Sequence, residues 1–341
     1  MRIAIASGKG GTGKTTVATN LAWLASQSGL AAAYLDCDTE EPNGHLFLRP
    51  AIDQKQEIVR MIPQVDPARC TLCRQCGEIC QYSAIVCLEQ KVLVFPELCH
   101  SCGGCSLVCP VGAITETPRA LGVVETGRCG GLGFVQGRLN VGEVSSPPLI
   151  RAVRRAAPAA DLLLYDAPPG TACPMIETVR GADYVVLVTE PTPFGLHDLR
   201  LAWQVIQSLQ MESGVVVNRA LVGETEVRQF CEQARIPILA EIPDILAIAE
   251  AYSEGKLAIE AVPGLQRIFA RLLLDVTSAA ETNVLPEAAR RRLRSIADLR
   301  ADPAGCGRPA PGDPPAPSCY LALRGNPRTP SRARAISSPD P

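Results

Sequence analysis

Two stretches of the chain combine residue types and spacings that can do chemistry. The first is Gly8-Lys9-Gly10-Gly11-Thr12-Gly13-Lys14-Thr15, followed by Thr16. It satisfies G-x-x-x-x-G-K-[ST] and lies between a short apolar run and a helix-periodic segment. Glycines at these positions let successive backbone N–H groups converge on phosphate oxygens, and the following helix N-terminus adds favourable partial charge. Lys14 is expected to reach the terminal phosphates of a nucleotide, and the Thr15 hydroxyl to ligate Mg²⁺. The second stretch holds eight of the fifteen cysteines, in two runs: Cys70-x₂-Cys73-x₂-Cys76-x₃-Cys80 and Cys99-x₂-Cys102-x₂-Cys105-x₃-Cys109. Four thiolates per run can hold an iron–sulfur cubane or a metal ion.

The spacing of the cysteines separates these two options. Four-cysteine zinc sites pair two CxxC knuckles, whereas CxxCxxCxxxC written twice is the spacing of two-cluster bacterial ferredoxins, where the fourth cysteine of each run serves the other cluster. Cys70, Cys73, Cys76 and Cys109 are therefore assigned to one [4Fe–4S] cluster, and Cys99, Cys102, Cys105 and Cys80 to the other. The repeat continues beyond the ligands, with Cys80-Gln81-Tyr82-Ser83-Ala84-Ile85 parallel to Cys109-Pro110-Val111-Gly112-Ala113-Ile114. Cys87 breaks the pattern and reads as a small buried residue.

Composition narrows the class. The chain has 341 residues, 47% of them hydrophobic, and a net charge of −2, so it can bury a large core and has no electrostatic reason to seek nucleic acid. It contains no apolar run of membrane-spanning length. The opening Met1–Ala6 is too short for a signal peptide. A secreted disulfide scaffold is excluded on these grounds, and a cytoplasmic location is expected.

The elements that position both motifs follow from periodicity. Short apolar runs at Ile3–Ala6, Ala31–Asp36, Leu162–Asp166, Tyr184–Thr189, Val215–Asn218 and Ile236–Ala240 read as buried strands. Helices are expected at Lys14–Ser28 and near 196–210, 224–235, 244–254 and 263–280. This alternation predicts an α/β fold with a doubly wound, mostly parallel sheet. The expected organisation is a nucleotide domain in two parts, 1–61 and 120–282, interrupted by a small α+β ferredoxin-like insert at 62–119 with short strands and turns. Residues 283–341 are expected to form a basic, solvated helix and a Pro-rich disordered tail.

The second lysine of the loop, Lys9, makes the segment resemble the deviant Walker A of the MinD/ParA and nitrogenase-iron-protein superfamily. The likeness continues through Asp36-Cys37-Asp38, Asp166-Ala167-Pro168-Pro169-Gly170-Thr171, Ala182-Asp183 before Tyr184–Thr189, Val217-Asn218-Arg219 and Ile242-Pro243-Asp244, in the family's order. The resemblance implies a Mg²⁺-dependent ATPase working as a homodimer, or as a heterodimer with a related ATPase, with Lys9 reaching the partner's nucleotide and Asn218 near the adenine. Chemistry supports the two acids independently. ATP hydrolysis needs positioning and charge neutralisation, so Asp166 is expected to hold Mg²⁺ through water and Asp38 to orient the attacking water.

The whole resembles ferredoxin-containing ATPases of the MinD superfamily. The expected function is an ATP-gated redox protein with a redox partner. The alternative is an iron–sulfur scaffold or carrier that loads clusters onto client proteins, although relatives with that role place a CxxC pair late in the chain. A positioning or partition ATPase would not need eight cluster ligands. Cys129 and Cys173 read as unrelated thiols in preference to a cluster bridging a dimer. His45, His100 and His197 read as packing or capping residues.

Overall fold

The computed structural model describes residues 1–220, 225–262, 264–279 and 285–298. β1 (Arg2–Ala6) runs through the glycine loop into α1 (Lys14–Gln27), and β2 (Ala32–Asp36) leads to the short α2 (Gly44–Leu48). β3 (Ala51–Val65) precedes the cysteine module, which holds α3 (Gln75–Ile79), β4 (Ile85–Cys87), β5 (Val92–Val94) and α4 (Gly104–Leu107). β6 (Ile114–Cys129) and β7 (Leu132–Leu139) return the chain to α5 (Pro147–Arg155), β8 (Leu162–Asp166), α6 (Cys173–Val179) and β9 (Tyr184–Thr189). Then follow α7 (Pro193–Ser208), β10 (Ser213–Ala220), α8 (Glu226–Ala234), β11 (Ile238–Pro243), α9 (Leu246–Ser253), α10 (Ala258–Ala261), α11 (Leu265–Ala279) and α12 (Glu287–Ala297).

Nine strands form one sheet in the order β11-β10-β9-β1-β8-β2-β7-β6-β3. The seven from β11 to β7 are parallel, and β6 and β3 close that edge with antiparallel pairing. Apolar side chains alternate between the faces, as the strand period requires. Ile3, Ile5 and Leu164 pack beneath α1 and α11, while Ala4, Ala6 and Val185 face α5 and α7. Covering both faces is what makes these strands read as near-continuous apolar runs.

Six of the seven parallel strands lie close to their expected positions; β7, which pairs parallel to β2, was not expected. β11 starts two residues late because Pro237 has no N–H to give to a ladder; its carbonyl instead accepts from Val215 N at 2.8 Å. The antiparallel edge is the main departure. β3 and β6 pair from Ala51↔Arg128 to Val65↔Ile114, so the expected boundaries at 61/62 and 119/120 both fall inside strands. The cysteine module occupies the chain between Val65 and Ile114. β7 pairs β6 only from Gly122 to Cys129, so the rest of the hairpin runs on as a two-stranded arm. Leu139, the last residue of β7, pairs with Gly122, so the arm leaves the sheet at the end where the parallel strands finish and the phosphate-loop motif lies.

A second departure concerns the basic segment. α12 is docked and not merely solvated: Leu285, Ala289 and Leu293 are buried in the core beside α11. The Pro-rich segment 301–341 lies outside the described residues. Among the described residues, no helix is long and apolar enough to cross a membrane.

Candidate functional site

The loop between β1 and α1 is built to receive an anion. Gly11 and Gly13 have φ of +77° and +94°, conformations that glycine adopts without strain. Gly13 is the N-cap of α1, whose first turn has neither a side-chain cap nor an acid, leaving its N–H groups for a ligand. Gly10 and Gly11 have open space where side chains would stand, while Gly8 lies against the Asp198 backbone. Lys14 is buried, and desolvation holds its ammonium below the usual lysine range although Asp166 and Asp38 pull the other way. The Thr12 hydroxyl is buried with no partner among the described residues. The Thr16 carbonyl accepts from Asn20 Nδ2 at 2.6 Å.

The acids gather at the ends of β2 and β8, where Asp36 pairs in register with Asp166. Thr15 lies beside Asp166, and Tyr34 Oη donates to Asp166 Oδ2 at 2.8 Å. Asp166 Oδ1 is buried with no partner among the described residues. A free carboxylate oxygen, a neighbouring hydroxyl and Lys14 suit a hydrated Mg²⁺ beside phosphates. Asp36 accepts from the backbone N–H of Asp38 at 3.2 Å and of Gly44 at 3.0 Å. Burial and the neighbouring Asp166 push the Asp36 carboxyl well above the usual range. Asp38 is pushed up to about 6, first by burial and then by Asp166, with Lys14 opposing.

Asn218 reaches the loop from β10, its Nδ2 donating to the Thr12 carbonyl at 2.8 Å. Lys9 forms an ion pair with Glu190 of its own chain, and Glu190 also binds Arg219 at 3.0 Å. The loop motif and the acids were legible in the sequence. Tyr34 was not singled out, and Glu190 was noted only as part of the family resemblance with no role of its own, because a tyrosine inside an apolar strand and an acid after one look like core and turn residues.

The cysteine module contains two cavities. Cys70, Cys73, Cys76 and Cys109 line one; Cys80, Cys99, Cys102 and Cys105 line the other. The two halves repeat in backbone as well as in sequence. Leu72 and Ser101, Arg74 and Gly103, and Ser83 and Gly112 all have positive φ, each pair 29 residues apart. Cys73 and Cys102 are exposed, Cys76 and Cys105 buried. Burial raises the Cys80 and Cys109 thiols, but convergent backbone N–H groups outweigh it and hold both below the usual thiol range. Such N–H donors favour the thiolate, the form that ligates iron. Cys87 is half-buried, with its sulfur 3.6 Å from that of Cys76.

The remaining candidates disperse. Cys129 sits at the β6–β7 turn, where the parallel strands begin, and Cys173 opens α6 beyond the end of β8. The two lie at opposite ends of the sheet, separated by roughly 17 Å of strand, so one chain does not bring them together. The His100 ring stacks on Tyr82 with centroids 3.7 Å apart. His45 lies on α2 and His197 on α7.

Comparison with known proteins accords with this arrangement. The model of the CobQ/CobB/MinD/ParA nucleotide binding domain matches residues 3–259. An uncharacterized protein of Methanocaldococcus jannaschii, MJ0578, is 34% identical over 250 residues, 72% of this chain and 88% of its own. An iron-sulfur cluster carrier protein of Synechocystis is 52% identical over only 46 residues, 14% of this chain and 13% of its own. Among solved structures, the septum site-determining protein MinD of Pyrococcus horikoshii, complexed with Mg-ADP, matches 83% of this chain and 99% of its own, at 20% identity and a TM-score of 0.49. With its phosphate-binding loop, strand-end acids and parallel sheet, this chain belongs to the CobQ/CobB/MinD/ParA nucleotide-binding domain family.

Proposed function

We propose that this chain is an ATP-hydrolysing iron–sulfur protein that couples a nucleotide-dependent dimer switch to electron transfer through two [4Fe–4S] clusters. The observation that carries the reading is the sorting of eight cysteines into two four-thiol cavities, taken crosswise between the runs, on an arm leaving the nucleotide end of the sheet. The clusters, held by Cys70, Cys73, Cys76 and Cys109 and by Cys80, Cys99, Cys102 and Cys105, supply one-electron redox chemistry when bound.

The chain's own residues do the rest. Backbone N–H groups of Gly10–Thr15 cradle the phosphates, and Lys14 neutralises their terminal charge. Thr15 and Asp166 hold Mg²⁺. Asp38, once ionised, orients the attacking water. Lys9 exchanges Glu190 for the nucleotide of a second subunit, and the exchange closes the dimer. ATP moves the arm only as far as its affinity differs between the open and closed forms.

The 46-residue likeness to a cluster carrier favours a second reading, in which ATP loads or releases a cluster for a client protein. Anaerobic purification with iron, sulfide and electron-paramagnetic-resonance analysis tests the shared part; about eight irons per chain are expected for two cubanes. Incubation with an apo-ferredoxin separates the readings. A relay retains its clusters and changes redox state, whereas a carrier passes them on.

A further inference from the structure

Tyr34 is fully buried in β2, one strand from Asp166, with its ring stacked on Phe134 at a centroid distance of 5.8 Å. Its hydroxyl lies 2.8 Å from Asp166 Oδ2 and 3.4 Å from Asp36 Oδ2. A phenol has one proton to donate, and the shorter contact assigns it to Asp166. Asp36 does not depend on it, because the N–H groups of Asp38 and Gly44 already serve that carboxylate. The site is shaped around the hydroxyl: a side chain at Gly44 would collide with the Tyr34 phenol. Asp166 is thus tied through one oxygen, and its other oxygen is buried and unpartnered among the described residues.

We propose that Tyr34 is a positioning residue for Mg²⁺. By holding Asp166 Oδ2 it fixes the rotation of the carboxylate and leaves Oδ1 to the metal or its water. The inference rests on the reading of Asp166 as the Mg²⁺-side acid. Hydrogen bonds of this kind, made to a metal-binding carboxylate from behind, are worth about 10- to 100-fold in metal affinity.

The test compares Tyr34→Phe with the wild-type chain, since phenylalanine keeps the ring and its stacking and removes only the donor. Fluorescent ATP-analogue binding is measured in EDTA and across a Mg²⁺ series, and Mn²⁺ binding to the nucleotide complex is followed by electron paramagnetic resonance. Affinity in EDTA should be unchanged, while the half-saturating metal concentration should rise at least about tenfold. An unchanged metal dependence, or an equal loss with and without metal, overturns the proposal. Should the phenylalanine variant fail to fold, Gly44→Ala displaces the hydroxyl from outside and must shift the metal dependence in the same direction. Asp166→Asn separates the two layers of the argument. If it leaves the metal dependence intact, the reading of Asp166 itself fails; if it abolishes that dependence while Tyr34→Phe does not move it, only the Tyr34 inference fails.

Discussion

Arg60 and Glu143 form an ion pair sealed from solvent where the cysteine-bearing arm meets the sheet. The Arg60 guanidinium also donates to the backbone carbonyls of Cys99, the first residue of the second cysteine run, and, at 2.8 Å, of Pro96 just before it. Glu143 also binds Arg119. Glu143 lies just beyond β7, whose last residue, Leu139, donates its N–H to the Thr39 carbonyl at 2.8 Å, one residue after Asp38. These contacts, with the chain from Leu139 to Glu143, link the segment next to Asp38 to the loop that holds Cys99.

Removing one partner of a buried pair leaves the other charge stranded. Arg60→Ala should therefore lower the unfolding free energy by about 3–5 kcal/mol, and the double change Arg60→Met with Glu143→Leu should restore most of it. Denaturant unfolding of the three proteins checks this. A loss below about 1 kcal/mol would place the pair in solvent-like surroundings.

Lys14→Ala should reduce ATP hydrolysis at least about a hundredfold, because it removes the charge aimed at the terminal phosphates. Iron content should stay at the wild-type level, because the loop and the cysteine module are built from separate segments. Parallel loss of iron and of ATPase activity would contradict that separation.

Asp38 gives a pH dependence of definite sign. Its carboxyl is pushed up to about 6 in the folded chain, against about 3.9 when unfolded. In the proposed role the ionised form is the active one, so kcat/KM should rise with pH through about 6 and then level off, and Asp38→Asn should be slow and flat over that range. The stability effect runs the other way. Between about pH 4 and 6 the folded chain keeps a proton that the unfolded chain has released, so this group's contribution to stability falls as pH rises through that window. A wild-type profile that stays flat down to pH 5 would remove Asp38 from its role.

The Lys9–Glu190 pair is intramolecular in this structure, so a subunit that engages a partner's nucleotide through Lys9 must first break it. Glu190→Gln should lower the protein concentration needed for ATP-dependent dimerisation several-fold, and Lys9→Ala should prevent dimerisation while monomers still bind ATP. Sedimentation or light scattering with a non-hydrolysable analogue reads both. Identical association of Glu190→Gln and wild type would show that the pair imposes no restraint.

Under the crosswise arrangement, Cys70→Ser and Cys109→Ser should erase the same spectroscopic cluster signal, and Cys99→Ser and Cys80→Ser the other. If Cys80→Ser instead matches Cys70→Ser, each run serves its own cluster.

The readable and unreadable parts of this chain differ for physical reasons. Strands buried on both faces, such as Tyr184–Thr189, announce themselves as apolar runs, and a glycine loop that must approach phosphate has few alternatives to its motif. β3 is exposed along most of its length, and Asp53 through Glu57 carry no alternation that would mark a strand. Its pairing with β6 joins residues 49 to 77 positions apart, from Val65↔Ile114 to Ala51↔Arg128, which no local pattern records. The cysteine spacing displayed the two sets of four cysteines without the arm that carries them. Tyr34 and Glu143 were illegible for another reason: each serves the site through one hydrogen bond or ion pair across strands, and nothing in the neighbouring residues marks that partner.

In the proposed mechanism nucleotide and electrons are coupled. An anaerobic redox titration of the full chain, followed by electron paramagnetic resonance without nucleotide, with ADP and with ATP, tests it most directly. Two cluster signals are expected, with a midpoint potential for at least one of them that differs between the ATP and nucleotide-free states. Two clusters whose potentials are the same in all three states, in a protein that demonstrably binds and hydrolyses ATP, would contradict it.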